Sequence, residues 1–137
     1  MIKVMKMMFV TDKVELVNNH LPPGQFKIEH QLRRNTGRLN EKMFFTQLAL
    51  EIKDKEGQKT PVTMTVVIKA LFEFDHPENT EEITEFLKIQ GVNILYPYLR
   101  SMVTNLALNA MMPPIILPII DASELFKANQ DISQFVN

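Results

Sequence analysis

The side chains of this 137-residue chain that could do chemistry are three histidines, a Gly-Gln-Lys-Thr segment, a few paired carboxylates and one group of arginines. Imidazoles bind metals and move protons near neutral pH. His20, His30 and His76 are scattered, however, and none has a second His or a carboxylate at the spacing of a helical or hairpin metal site. Gly57-Gln58-Lys59-Thr60 has the flavour of a phosphate loop but lacks the leading glycine, the Gly-Lys-Thr order and a following helix, and reads as a hairpin turn. Glu81-Glu82, and Glu73 with Asp75, could serve as acid and base. The first pair falls where a helix N-terminus favours carboxylates, and the second flanks a turn. Arg33, Arg34 and Arg38, with Lys27 upstream, have no interleaved aromatics; beside Asn35-Thr36-Gly37 they read as a solvated strand end and turn, not a polyanion site. Without cysteine there is no thiolate nucleophile, thiolate metal site or disulfide. No reaction is specified, so no catalytic residue, metal or cofactor is expected.

The elements that carry these residues follow from composition and periodicity. Apolar residues make up 45% and charged ones 23%, a globular composition expected to form one domain over residues 1–137. A net charge of −1 gives no general attraction to nucleic acid or an anionic membrane surface. Met1 to Val10 is interrupted by Lys3 and Lys6 and reads as a strand, not a signal peptide. Ser101 to Ile120 is long enough to suggest a membrane span, but Asn105, Asn109 and Pro113, Pro114 and Pro118 argue for a segment buried in the protein or in a subunit interface. A cytoplasmic protein with no membrane insertion is expected.

Alternation predicts strands around Met5–Val17, over Phe26–Arg33, over Phe44–Ile52 and over Val62–Phe74, mainly antiparallel, with a turn at Asp54–Gly57. The period then changes. Asn79 with Glu82 has capping-box spacing, Ile83, Phe86 and Leu87 form a short stripe, and Gly91 can terminate that helix. A second helix is predicted from near Pro97, with Leu99, Met102, Val103, Leu106 and Ala110 on one face and Leu108 and Met112 on the other. So little charge on either side implies a deep core position or a second subunit. Pro113–Pro118 is an extended connector, and Asp121 with Glu124 opens a last helix carrying Leu125, Ala128, Ile132 and Phe135. Strands first and helices second make the fold α+β, with helices on one face of the sheet. Nine methionines and nine phenylalanines supply adaptable apolar surface, and apolar groups cluster near segment ends at Phe72, Phe74, Phe86, Leu87, Met111 and Met112.

Asn93-Ile94-Leu95-Tyr96-Pro97-Tyr98-Leu99-Arg100 resembles the signature that opens the long helix of the SecB family of bacterial export chaperones. Pro113–Pro118 is similar to that family's proline-containing connector, Asp121 through Phe126 to the start of its last helix, and Phe72 falls where the family has a phenylalanine leaving strand four. The resemblance implies a four-stranded antiparallel sheet with two main helices on one face and a short helix in the crossover. It also implies a homotetramer, a dimer of dimers, with Leu99, Met102, Val103, Leu106, Leu108 and Ala110 at the central interface. The implied function is ATP-independent holding of unfolded polypeptides, either preproteins for export or an antitoxin. Phe72, Phe74, Phe86, Leu87, Tyr96, Met111, Met112, Ile115 and Phe126 would line the client groove. Export members show acids to a SecA-type motor, including one on strand four; the equivalents here are Thr63 and Thr65, with Glu15 as one retained acid, which puts motor docking in doubt. The competing expectation is an oligomeric adaptor of the same fold with no general client binding.

Overall fold

A computed structural model describes residues 1–24, 26 and 28–126. Four strands, β1 (Val4–Asn18), β2 (Gln31–Arg38), β3 (Met43–Ile52) and β4 (Val62–Phe74), form one antiparallel sheet in the order β1-β4-β3-β2. Helices α1 (Thr80–Lys88) and α2 (Gln90–Asn109) follow, and then α3 (Ala122–Leu125). The α+β sequence reading agrees with this architecture. Alternation explains the layering: Phe44, Leu48, Leu50 and Ile52 of β3 and Val62, Met64, Val66, Ile68 and Phe72 of β4 are buried on one face. Ile83 and Leu87 of α1, and Val92, Leu95, Leu99 and Val103 of α2, close over them. Consecutive strands β1 and β2 lie on opposite edges, so the chain between them must cross one end of the sheet, a width of about 14 Å for three strand spacings.

That crossing corrects the second predicted strand. Phe26, Ile28 and His30 alternate in sequence, yet regular pairing starts only at Gln31, and Phe26 and Ile28 remain exposed in the crossover. The strand instead runs through Asn35-Thr36-Gly37, the expected turn, with Thr36 buried opposite Thr46. Arg34 is correspondingly not solvated: it is 8% exposed, donates from Nη1 to the Lys88 carbonyl at 2.8 Å, and lies 4.5 Å from the Phe126 ring centre. Burial lowers its pKa, and nearby Glu85 opposes that shift.

The helix boundaries also move. Gly91 does not end α1; it lies in the first turn of α2, which starts at Gln90 and carries Pro97 in its interior. Ile89 is at once the last cap of α1 and the first of α2. The sheet supplies what a terminal glycine would have, since Thr46 Oγ1 donates to Leu87 O at 2.7 Å and Arg34 to Lys88 O. An interior proline costs roughly 3 kcal/mol. Burying Val92, Leu95 and Tyr96 in the added turns contributes about 1.5–3 kcal/mol each, so the longer helix wins. Glu82 does not form the expected capping box. It accepts from Asn79 Nδ2 at 3.0 Å and from the Ile2 amide at 2.8 Å, because the chain leading into β1 passes over the first turn of α1. The Asp54–Gly57 turn forms as read, closed by paired backbone bonds between Lys55 and Gln58 with Gly57 at φ 74. Asp121 opens α3 through its carbonyl; Ala128, Ile132 and Phe135 lie outside the described residues.

A Cβ added at Gly91 would sit 2.2 Å from Thr46 Oγ1, a side chain already fixed by its bond to Leu87 O. Gly91→Ala is therefore expected to destabilise by about 1–3 kcal/mol through overpacking, read as a lower urea midpoint at unchanged slope.

Candidate functional site

The α2 face that meets the last segment carries hydrogen-bonding groups at helical spacing, Tyr96, Arg100 and Thr104. Tyr96 OH donates to Pro118 O at 2.7 Å, Arg100 Nε to Leu117 O at 3.1 Å, and Thr104 Oγ1 to Ile115 O at 2.7 Å. Residues 113–118 include three prolines and form no strand pairing, so these side chains satisfy carbonyls that a sheet would otherwise take. Burial raises the Tyr96 pKa, with Arg100 opposing. Leu117 is then buried, while Ile116 and Ile119 point outward at 74% and 82% exposure.

Where α2 ends, its backbone turns sharply. Met112 N–H reaches Ala107 O at 3.0 Å and Met111 N–H reaches Leu108 O at 3.0 Å, the paired bonds of a left-handed helix stop. Met111 occupies the position that glycine normally fills, at φ 61, and its side chain is 94% exposed. The turn delivers Met112, Pro113, Pro114 and Ile115 to the end of the sheet crossed by the β1–β2 connection. Together with Leu21, Pro22, Pro23, Phe26, Ile28 and Pro61 they enclose an open pocket of about 430 Å3. Its described lining contains no charged side chain, and Asn18 brings the sole polar side chain. Such a cavity can take apolar groups out of water, and its described lining offers no acid, base or nucleophile.

The predicted groove residues do not assemble as one surface. Met111, Met112 and Ile115 line this pocket. Phe72 and Phe74 are buried at the other end of β4, where Phe86 meets their rings edge to face at 5.2 and 5.3 Å. The span of β4 separates the two groups by about 30 Å. Leu87 is core, Tyr96 anchors the connector, and Phe126 covers Arg34. Five of the expected groove residues, Phe72, Phe74, Leu87, Tyr96 and Phe126, are buried as internal packing in this conformation. The crossover residues Leu21, Pro22, Pro23, Phe26 and Ile28 were missed. The readable signal was a second Pro-Pro pair, Pro22-Pro23, matching Pro113-Pro114.

The expected subunit interface divides similarly. Leu99 and Val103 face the sheet and are fully buried. Met102 and Leu106 are half-buried and, with Tyr98, Ser101, Asn105 and Asn109, line a shallow depression of about 350 Å3; Leu108 is exposed and Ala110 half-buried. Tyr98 packs on Phe9 of β1, with ring centres 4.7 Å apart. Among the described residues no group of three His, Cys, Asp or Glu could hold a metal. His76 does lie near Asp75 and Glu78, at 3.7 and 3.3 Å, on the surface. No described helix is long and apolar enough to cross a membrane.

The family model described as preprotein translocase subunit SecB matches residues 12–133. An uncharacterised protein of Methanocaldococcus jannaschii is 26% identical over 133 residues, covering 92% of this chain and 84% of that one. The protein-export protein SecB of Thiobacillus denitrificans is 24% identical over 108 residues, covering 79% and 70%. Among solved structures, the SecB-like chaperone of Mycobacterium tuberculosis, in complex with a peptide of the HigA1 antitoxin, superposes with a TM-score of 0.68 at 17% identity, covering 88% and 91%.

Two substitutions test the geometry. Tyr96→Phe leaves the Pro118 carbonyl without its donor and is expected to cost about 1–2 kcal/mol, with faster amide exchange or proteolysis confined to residues 113–120. Met111→Gly is expected to stabilise by about 0.5–1 kcal/mol, relief of left-handed strain exceeding the added chain entropy of glycine, seen as a raised denaturation midpoint.

Proposed function

The chain belongs to the SecB family, whose members are chaperones and not enzymes, and from that premise we propose that it holds unfolded polypeptides without using ATP. The observation that carries this reading is the open pocket between the two Pro-Pro segments, whose described lining carries no charge and which is continuous along the chain with the exposed Ile116 and Ile119. Holding requires apolar area removed from water, at about 25 cal/mol per Å2, and no sequence-specific hydrogen bonds. The pocket and connector offer that kind of surface. Prolines add rigid apolar walls that lack backbone donors, so a client would meet few competing polar groups.

Assembly as a homotetramer, a dimer of dimers, is part of the proposal. Strand β1 lies at the sheet edge, 15 residues long, with Met5, Met7 and Phe9 exposed. A long apolar edge left uncovered is a site for pairing with another chain. The neighbouring Tyr98, Met102 and Leu106 of α2 would extend that contact. A cytoplasmic location is proposed from the family.

Client choice is supported by the outer face of the sheet. Thr63 and Thr65 stand outward on β4, and Thr65 pairs with Glu15 on one side and Glu51 on the other. Two threonines where export members are expected to show acid favour a dedicated client such as an antitoxin over delivery to a SecA-type motor.

Aggregation of a chemically unfolded protein, followed by light scattering without nucleotide, tests the reading. Suppression at a few-fold molar excess is expected, with a free mass near four times 15.9 kDa and a larger one with client. A tetramer that leaves aggregation unchanged would instead make the chain a SecB-like adaptor.

A further inference from the structure

We propose that Met111 is an oxidation-switchable client contact: its thioether packs on an apolar client at the pocket mouth, and peroxide oxidation to the sulfoxide weakens that grip. This inference rests on the client-holding reading above. Two independent features single the residue out. Its backbone is left-handed at φ 61, in a helix stop where glycine would be unstrained. Its side chain gains almost no burial, at 94% exposure, while the adjoining Met112 and Ile115 are half-buried. Neither feature helps the isolated fold, and strain held at the rim of a binding cavity is the kind that function retains. An unbranched, polarizable side chain with three rotatable bonds can fit apolar client groups of varied shape.

The same chemistry makes the contact sensitive. A sulfur lone pair attacks one oxygen of a peroxide, the O–O bond breaks and an S–O bond forms. The other oxygen leaves as water once protonated, or as an alcohol from an alkyl peroxide. Sulfur is oxidised by two electrons and the peroxide is reduced. The product is a polar sulfoxide at the mouth of a pocket whose described lining has Asn18 as its one polar side chain, so closing a client over it would bury an unpartnered acceptor. Full exposure makes Met111 more reactive than half-buried Met112.

Affinity for a fluorescently labelled, reduced and carboxymethylated protein would be measured for wild type, Met111→Leu and Met111→Gly, each before and after hydrogen peroxide. Peptide mass mapping would follow oxidation at each methionine. The wild type is expected to weaken about tenfold on oxidation, and Met111→Gly to be weaker by a similar factor from the start although more stable, the scale of losing one apolar contact. Whatever affinity Met111→Leu starts from, peroxide should leave that affinity unchanged. That variant separates Met111 from Met1, Met5, Met7 and Met8, which are also exposed. Unchanged affinity in Met111→Gly, or loss in Met111→Leu equal to that of the wild type, overturns the assignment of Met111 alone. A wild type that binds no client before oxidation overturns the client-holding reading and this inference with it.

Discussion

The close seating of α2 on β3 at Gly91 and Thr46 is the constraint from which the rest of the structure follows. Only a residue without Cβ permits that approach, and the approach brings Thr46 and Arg34 within reach of the last carbonyls of α1. Capped from the sheet, α1 can stop and α2 begin without an intervening loop. The long helix then runs along the sheet with Leu95, Leu99 and Val103 inward. Its C-terminal end is thereby carried to the sheet end crossed by the β1–β2 connection.

That seating also fixes the rotation of α2. Once the Leu95–Leu99–Val103 row is inward, Tyr96, Arg100 and Thr104 face the connector, Tyr98 meets Phe9 of β1, and Met102 and Leu106 line the same flank as Tyr98. One helix therefore serves as core, as clamp for an otherwise unpaired extended segment, and as flank of an exposed edge. The pocket is the space left between two segments rich in proline that cannot pair with each other or join the sheet.

Much of this was legible in the sequence, for identifiable reasons. Alternation in Phe44–Ile52 and Val62–Phe74 found the two central strands because each has one dry face. The Pro113–Pro118 connector appears as read, whereas the uncharged run suggested a helix covered on both sides and Leu108, on the second side, is exposed. What failed depended on topology. Phe26 and Ile28 have the period of a strand, but an edge-to-edge crossing overrides it. Gly91 looks like a helix stop until the sheet's capping side chains are in place, and Pro97 looks like a helix start until the gain from burying the preceding turns is counted. The site was partly visible. Met111, Met112 and Ile115 lie beside the connector in sequence, whereas the crossover wall joins them only in three dimensions. Phe72 and Phe74 have similar chemistry but lie at the other end of β4 from that pocket.

The sheet order has a consequence for the chain's own synthesis. The first strand made has no partner until β4 emerges, since Val4 pairs with Phe74. Contacts so distant in sequence slow folding because a long loop must close before they form. Until then Met5, Met7, Met8 and Phe9 belong to a nascent segment with high aggregation propensity. A protein of this design passes, on the ribosome, through the same exposed state from which it would shield its clients.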